Sequence, residues 1–165
     1  MMDKKTLENL KEAFAGESQA NRKYLAFSKQ AEKEGHKNAA KMFKAAALAE
    51  TIHAHSHLKA MNGINSTEEN LKEGVEGETF EFEKMYPEMV KRAEEVGEKQ
   101  AARSFKFAME AEKVHANLYQ KMLDNLESGE EFTFHLCTIC GNVELKPVDK
   151  CFICGAGSKA FEIVE

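Results

Sequence analysis

The sequence predicts a mainly α-helical protein, with four long helices gathered in a bundle and a small metal-organised β domain after them. Three observations lead there. Apolar residues recur at helical spacing through four stretches punctuated by glycine. The first half of the chain repeats in the second. All 4 cysteines fall in the last segment. Only 2 prolines among 165 residues, with 31% charged and 42% hydrophobic, suit one helical domain and a small appendage.

Punctuation places the elements in order. The first helix runs from about Asp3 or Thr6 to Glu34 and ends at Gly35, where a residue free to adopt positive φ closes the last turn. The second runs from about Lys37 to Met61 and stops at Asn62-Gly63. Ser66-Thr67-Glu68-Glu69 reads as a capping box opening a third helix that lasts to about Gly97. The fourth runs from about Glu98 to Leu126 and closes at Ser128-Gly129. Beyond Glu130, short β-prone pieces (Phe132-Thr133-Phe134 and Phe161-Glu162-Ile163-Val164) flank the cysteines and Pro147. The expected domains are residues 1–129 and 130–165, the second too short to hold a core unaided.

A shift of 62 positions lays Ala39–Lys44 on Ala101–Lys106 and Ala49–Ala54 on Ala111–Ala116. It also pairs Tyr24 with Tyr86, Glu32 with Glu94 and Gly35 with Gly97. Two copies of one helical hairpin, related by an approximate two-fold axis, explain the match. Near Glu17 the best shift is 61, pairing Gly16-Glu17-Ser18 with Gly77-Glu78-Thr79. The extra residue in the third helix predicts a π-bulge between Glu78 and Tyr86, with a kink at Pro87 as the alternative.

The chemistry lies in the repeated motif. Glu50-Thr51-Ile52-His53 and Glu112-Lys113-Val114-His115 each put a carboxylate and an imidazole one turn apart on one helix face. They interrupt apolar stripes, Phe43, Ala47, Ala54 and Met61 in one helix and Phe105, Met109, Ala116 and Leu123 in the other. Neither stripe supplies a Lys or Arg, so a bound metal is the better partner for a buried carboxylate. Glu17 on the first helix and Glu78 and Glu81 on the third join them. Five carboxylates and two imidazoles then balance two divalent ions, the donor pattern of ferritin-like di-iron and di-manganese bundles. The repeat selects His53 over its neighbours, since His55 matches Asn117 and His57 matches Tyr119.

The cysteines form two knuckles, Cys137-Thr138-Ile139-Cys140-Gly141 and Cys151-Phe152-Ile153-Cys154-Gly155. Paired C-x-x-C-G turns predict one tetrahedral four-thiolate site, with the glycines admitting backbone that points amides at sulfur. Spacing leaves iron and zinc both open.

These motifs together resemble the rubrerythrins along essentially the whole chain. The resemblance rests on Ala15-Gly16-Glu17-Ser18-Gln19-Ala20, Glu50-x-x-His53, Gly77-Glu78-x-x-Glu81 with Glu83-Lys84-Met85-Tyr86-Pro87, Glu112-x-x-His115, and the cysteine pairs. It implies a ferritin-like four-helix bundle followed by a rubredoxin-like domain. The implied activity is a non-haem di-iron peroxidase that reduces hydrogen peroxide to water in oxidative-stress defence. It also implies two irons in the bundle and one iron in the four-cysteine site, which would pass electrons inward. Glu50 and Glu112 would bridge the irons, Glu78 and His115 would hold one, and Glu17 the other. Glu81 and His53 would exchange at that other iron with redox state, and Tyr24 and Tyr86 would orient the carboxylates. An external donor such as a rubredoxin or an NAD(P)H-dependent reductase, and a homodimer, are implied as well. The tail departs from the family's usual pattern in having Phe152 where proline commonly follows the third cysteine, and the chain has no Trp.

A net charge of −5 and no basic cluster give no case for nucleic acid. No apolar run is long enough to span a bilayer and the start lacks a signal-peptide core, so the expected location is the cytoplasm. The alternative is a ferroxidase or iron-handling protein with a structural zinc tail. A store would form a hollow assembly and has no need of a one-electron relay.

Overall fold

The computed structural model describes residues 2–164. The chain forms two compact units, Met1–Asn65 and Ser66–Glu165. The first is a helical hairpin of α1 (Lys4–Lys33) and α2 (Lys37–Ala60). Asp3 caps α1, its Oδ2 accepting the Thr6 N–H at 2.9 Å. At the other end Gly35 takes φ +82°, and the His36 N–H reaches back to the Ala31 carbonyl at 2.8 Å. That bond and the one from Gly35 to Glu32 close the helix as a Schellman motif and turn the chain into α2. Small side chains let the two helices approach: Ala31 on α1 and Ala40, Ala47 and Ala54 on α2 are buried. Two polar side chains cross the seam. Ser28 Oγ donates to the Ala40 carbonyl at 2.9 Å, and Asn21 Nδ2 donates to the Ala47 carbonyl at 2.7 Å.

The second unit opens with the predicted capping box, Ser66 and Glu69 bonding reciprocally at the start of α3 (Thr67–Phe80). A π-helical turn, Glu81–Met85, follows and leads without a break into α4 (Tyr86–Glu95). The Tyr86 N–H bonds the Glu81 carbonyl, five residues back, so the extra residue of the second repeat is absorbed here as expected. Pro87 stands at the start of α4, directly after the π-turn. Gly97 at φ +77° closes α4 as Gly35 closes α1, with Glu98 N–H on the Ala93 carbonyl at 2.8 Å. Then α5 (Lys99–Asp124) runs back along the broken helix. Gly74 permits a close approach there, for a Cβ on it would lie 3.1 Å from the Tyr119 ring.

The same unit carries the tail. Strands β1 (Phe134–Cys137), β2 (Val143–Glu144) and β3 (Phe161–Val164) form an antiparallel sheet in the order β2-β1-β3. Strand β1 begins at Phe134, two residues later than the β-prone run, because it must end at Cys137 in the first knuckle. Strand β2 has no counterpart among the expected elements, its two residues being too few for a pattern to register. Among the described residues no helix is long and apolar enough to cross a membrane.

Candidate metal centres

The predicted ligands other than Glu81 assemble as three clusters, each inside one unit. In the hairpin, Glu17 on α1 meets Glu50 and His53 on α2. His53 Nδ1 lies 2.8 Å from Glu50 Oε2 and 4.0 Å from Glu17 Oε1. Tyr24, further along α1, packs with Phe27 and Phe43 in a small aromatic group.

The second unit repeats the arrangement with Glu78 on α3 and Glu112 and His115 on α5. His115 Nδ1 is 2.6 Å from Glu112 Oε2 and 3.8 Å from Glu78 Oε1. Burial and the nearby Glu112 push the Glu78 carboxyl up to about 7. Glu81, at the head of the π-turn, stands outside this trio. It is close enough that burial and Glu112 raise its pKa, while His115 draws it down. Tyr86 packs on Phe105, and burial, then Glu81, Glu112 and Glu78, raise its hydroxyl. The bond to Glu112 raises the His115 pKa, and its own burial opposes this. Carboxylates that share protons with an imidazole at these distances are a donor set suited to a cation.

The third cluster is the four cysteines. Sγ of Cys137 lies 3.7 Å from that of Cys154, and Cys140 lies 3.6 Å from Cys151. These separations are too long for disulfides and match the edge, about 3.8 Å, of a tetrahedron of sulfurs ~2.3 Å from a central ion. Amides face the sulfurs. Burial raises Cys151, yet the N–H groups of Cys154 and Ile153 bring it down to about 7. Phe152, the departure at the second knuckle, is exposed to solvent.

One contact has no signature in the sequence. His115 Nε2 lies 2.9 Å from the carbonyl oxygen of Gly141, the residue after Cys140. A carbonyl only accepts, so Nε2 carries the proton and Nδ1, facing the carboxylates, is left to bind a cation. An apolar cavity of ≈ 270 Å³ lies beside this imidazole, lined by Leu71, Leu118, Met122, Phe134 and Val143. Nothing in the spacing of His115 and Gly141 signals the contact, which depends on how the tail packs on α5.

Comparison with known proteins agrees along the chain. The rubrerythrin family model matches residues 8–123. The sequence is 37% identical to nigerythrin of Nitratidesulfovibrio vulgaris over 164 residues, 90% of this chain and 81% of that one. Rubrerythrin-2 of Clostridium acetobutylicum is 31% identical over 95% of both chains. Among solved structures, fully reduced, all-ferrous nigerythrin gives a TM-score of 0.60 at 34% identity, covering 96% of this chain and 86% of that one.

Proposed function

Since the chain belongs to the rubrerythrin family, we propose that it is a di-iron peroxidase that reduces hydrogen peroxide to water. Bound iron would supply the two electrons that peroxide and two protons consume in forming two waters, and a four-thiolate iron would restore them singly. Glu50 and Glu112 would be shared between two irons, Glu17 and His53 would serve one position, and Glu78 and His115 the other. Glu81 would alternate with His53 as a ligand. Glu78, whose carboxyl is raised to about 7 in the metal-free fold by burial and Glu112, would give up its proton on taking a metal. Tyr86 and Tyr24 orient carboxylates from behind. Cys137, Cys140, Cys151 and Cys154 would hold the iron that supplies electron transfer.

The observation that carries this reading is the bond from His115 to Gly141, which puts a carboxylate–histidine cluster one residue from a thiolate ligand. An iron store has no use for such a port; a peroxidase reloaded one electron at a time does. Residues 1–129 act as the di-iron domain and 130–165 as its electron entry. The donor is a rubredoxin or an NAD(P)H-dependent reductase, and the working form is a homodimer in a reducing compartment.

Mixing anaerobically reduced, iron-loaded protein with hydrogen peroxide in a stopped-flow spectrometer tests the reading. Ferric absorption should appear rapidly, followed by oxidation of the iron–thiolate bands. A slow or absent reaction, with iron accumulating well beyond three per chain, would replace the peroxidase with a store.

A further inference from the structure

The two knuckles of the tail follow one plan. Gly141 and Gly155 take φ +83° and +78°, and each glycine N–H bonds the carbonyl of its first cysteine at 2.9 Å. The knuckles differ at the next residue, Asn142 in the first and Ala156 in the second. Ala156 does all that the turn requires. Its N–H faces the Cys154 sulfur, and its carbonyl accepts the Cys151 N–H at 2.7 Å.

Asn142 does the same with its backbone, serving the Cys140 sulfur and the Cys137 N–H. It adds a side chain that is fully buried. Nδ2 of that side chain donates to Glu144 Oε1 at 2.9 Å, and Oδ1 meets no donor among the described residues. A buried amide with an unpaired oxygen costs stability, and the alanine in the sister knuckle shows that the turn does not need it.

What sets the first knuckle apart is its neighbour. The Gly141 carbonyl that accepts from His115 and the Asn142 N–H that faces Cys140 are two ends of one planar peptide group. Rotating that plane weakens both bonds together. The Asn142 side chain ties it to β2, which is itself paired to β1 through Leu136–Val143 and His135–Glu144.

We propose that the Gly141–Asn142 peptide is the junction between the carboxylate–histidine cluster and the thiolate cluster, and that Asn142 is the positioning residue that holds it. The proposal rests on reading both clusters as metal sites. Negative charge added on the sulfurs strengthens the N–H···S bond, polarises the peptide, and makes its oxygen a better acceptor for His115 Nε2–H. His115 Nδ1 then becomes a stronger ligand, so the two clusters sense each other's charge.

Two readouts test this without peroxide: hydrogen exchange at His115 Nε2–H, followed by NMR in the fully zinc-loaded protein, and the midpoint potential of iron in the four-cysteine site. Asn142→Ala copies the second knuckle, so the tail keeps its fold and its metal. Exchange should accelerate by about tenfold, and the potential should fall as the amide leaves the sulfur. Glu144→Ala should follow the same direction, while Glu144→Gln, which keeps an acceptor, should stay near the parent. Unchanged exchange and potential in Asn142→Ala, with tail metal retained, would overturn the proposal. If that variant loses its tail metal, Glu144→Ala decides by the same two readings. A parent protein holding no zinc at its carboxylate clusters would overturn the underlying metal-site reading instead.

Discussion

Glu78 is where residue chemistry and metal binding are most directly linked. Its carboxyl ordinarily ionises near 4.5; in the fold, burial and Glu112 push it up to about 7. Below pH 4.5 the group is protonated in both folded and unfolded chains and nothing is lost. Between about 4.5 and 7 the unfolded chain ionises first, so the metal-free fold loses stability as pH rises, by about 1–2 kcal/mol after allowance for partial exposure. His115 acts in the same sense, since its raised pKa stabilises the fold below its ordinary value of 6.5 and ceases to do so as pH climbs through the shifted one. A divalent ion reverses both effects by rewarding the deprotonated set. The gap in Tm between metal-loaded and metal-free protein should therefore be wider at pH 8 than at pH 5.5; an equal gap at both would remove the cluster from the account. Taking the difference cancels the surface caps Asp3 and Glu69, whose pKa values are lowered in both forms by their bonds to Thr6 and Ser66. Glu50→Ala or Glu112→Ala should lower bundle metal content by half or more, read by elemental analysis, and cut peroxide turnover at least about 100-fold. Full metal and turnover in either variant would show that the bridge is elsewhere.

Among the elements, the π-turn makes the sharpest prediction. Deleting exposed Glu83 would return Glu81–Met85 to regular α-helix and turn Glu78 and Glu81 by about 100° relative to Val90 and Ala93, which are buried on α4. Helical content by circular dichroism should hold while metal affinity at the Glu78 cluster falls by about tenfold or more. Undiminished affinity would make the turn a packing accident. The turn is legible in the amino-acid order alone, because Glu17 to Tyr24 spans seven residues and Glu78 to Tyr86 spans eight. So are Gly35 and Gly97, the capping box at Ser66, and both knuckles. All are local signals, in which a residue's neighbours in sequence are its partners in space. Strand β2 and the His115–Gly141 bond are not legible, the first for lack of length and the second because it joins residues 26 apart. Asn142 is hidden for another reason: an asparagine in a turn is ordinarily exposed, and only its burial beside the contrasting Ala156 marks it out.

At the level of the molecule, the tail should depend on its ion and the helices should not. A domain whose buried centre is two cysteines and an asparagine has little else to hold it. Stripping the four-thiolate metal, or Cys137→Ser, should abolish hydrogen-exchange protection across β1 and β3 while protection in α1 and α2 persists. It should also stop turnover driven by an external donor. Donor-driven turnover at the parental rate in Cys137→Ser would take the tail out of the electron path. The duplicated hairpins, finally, have not remained equals. His115 is pinned at both ring nitrogens, by Glu112 on one side and Gly141 on the other, and its side chain is 23% exposed. His53, its twin, is bonded only through Nδ1 among the described residues and is 54% exposed. One imidazole is held through both ring nitrogens and the other through one. The two halves of one repeat thus differ in their surroundings: the second is tied through Gly141 to the tail, and the first keeps its imidazole open to solvent.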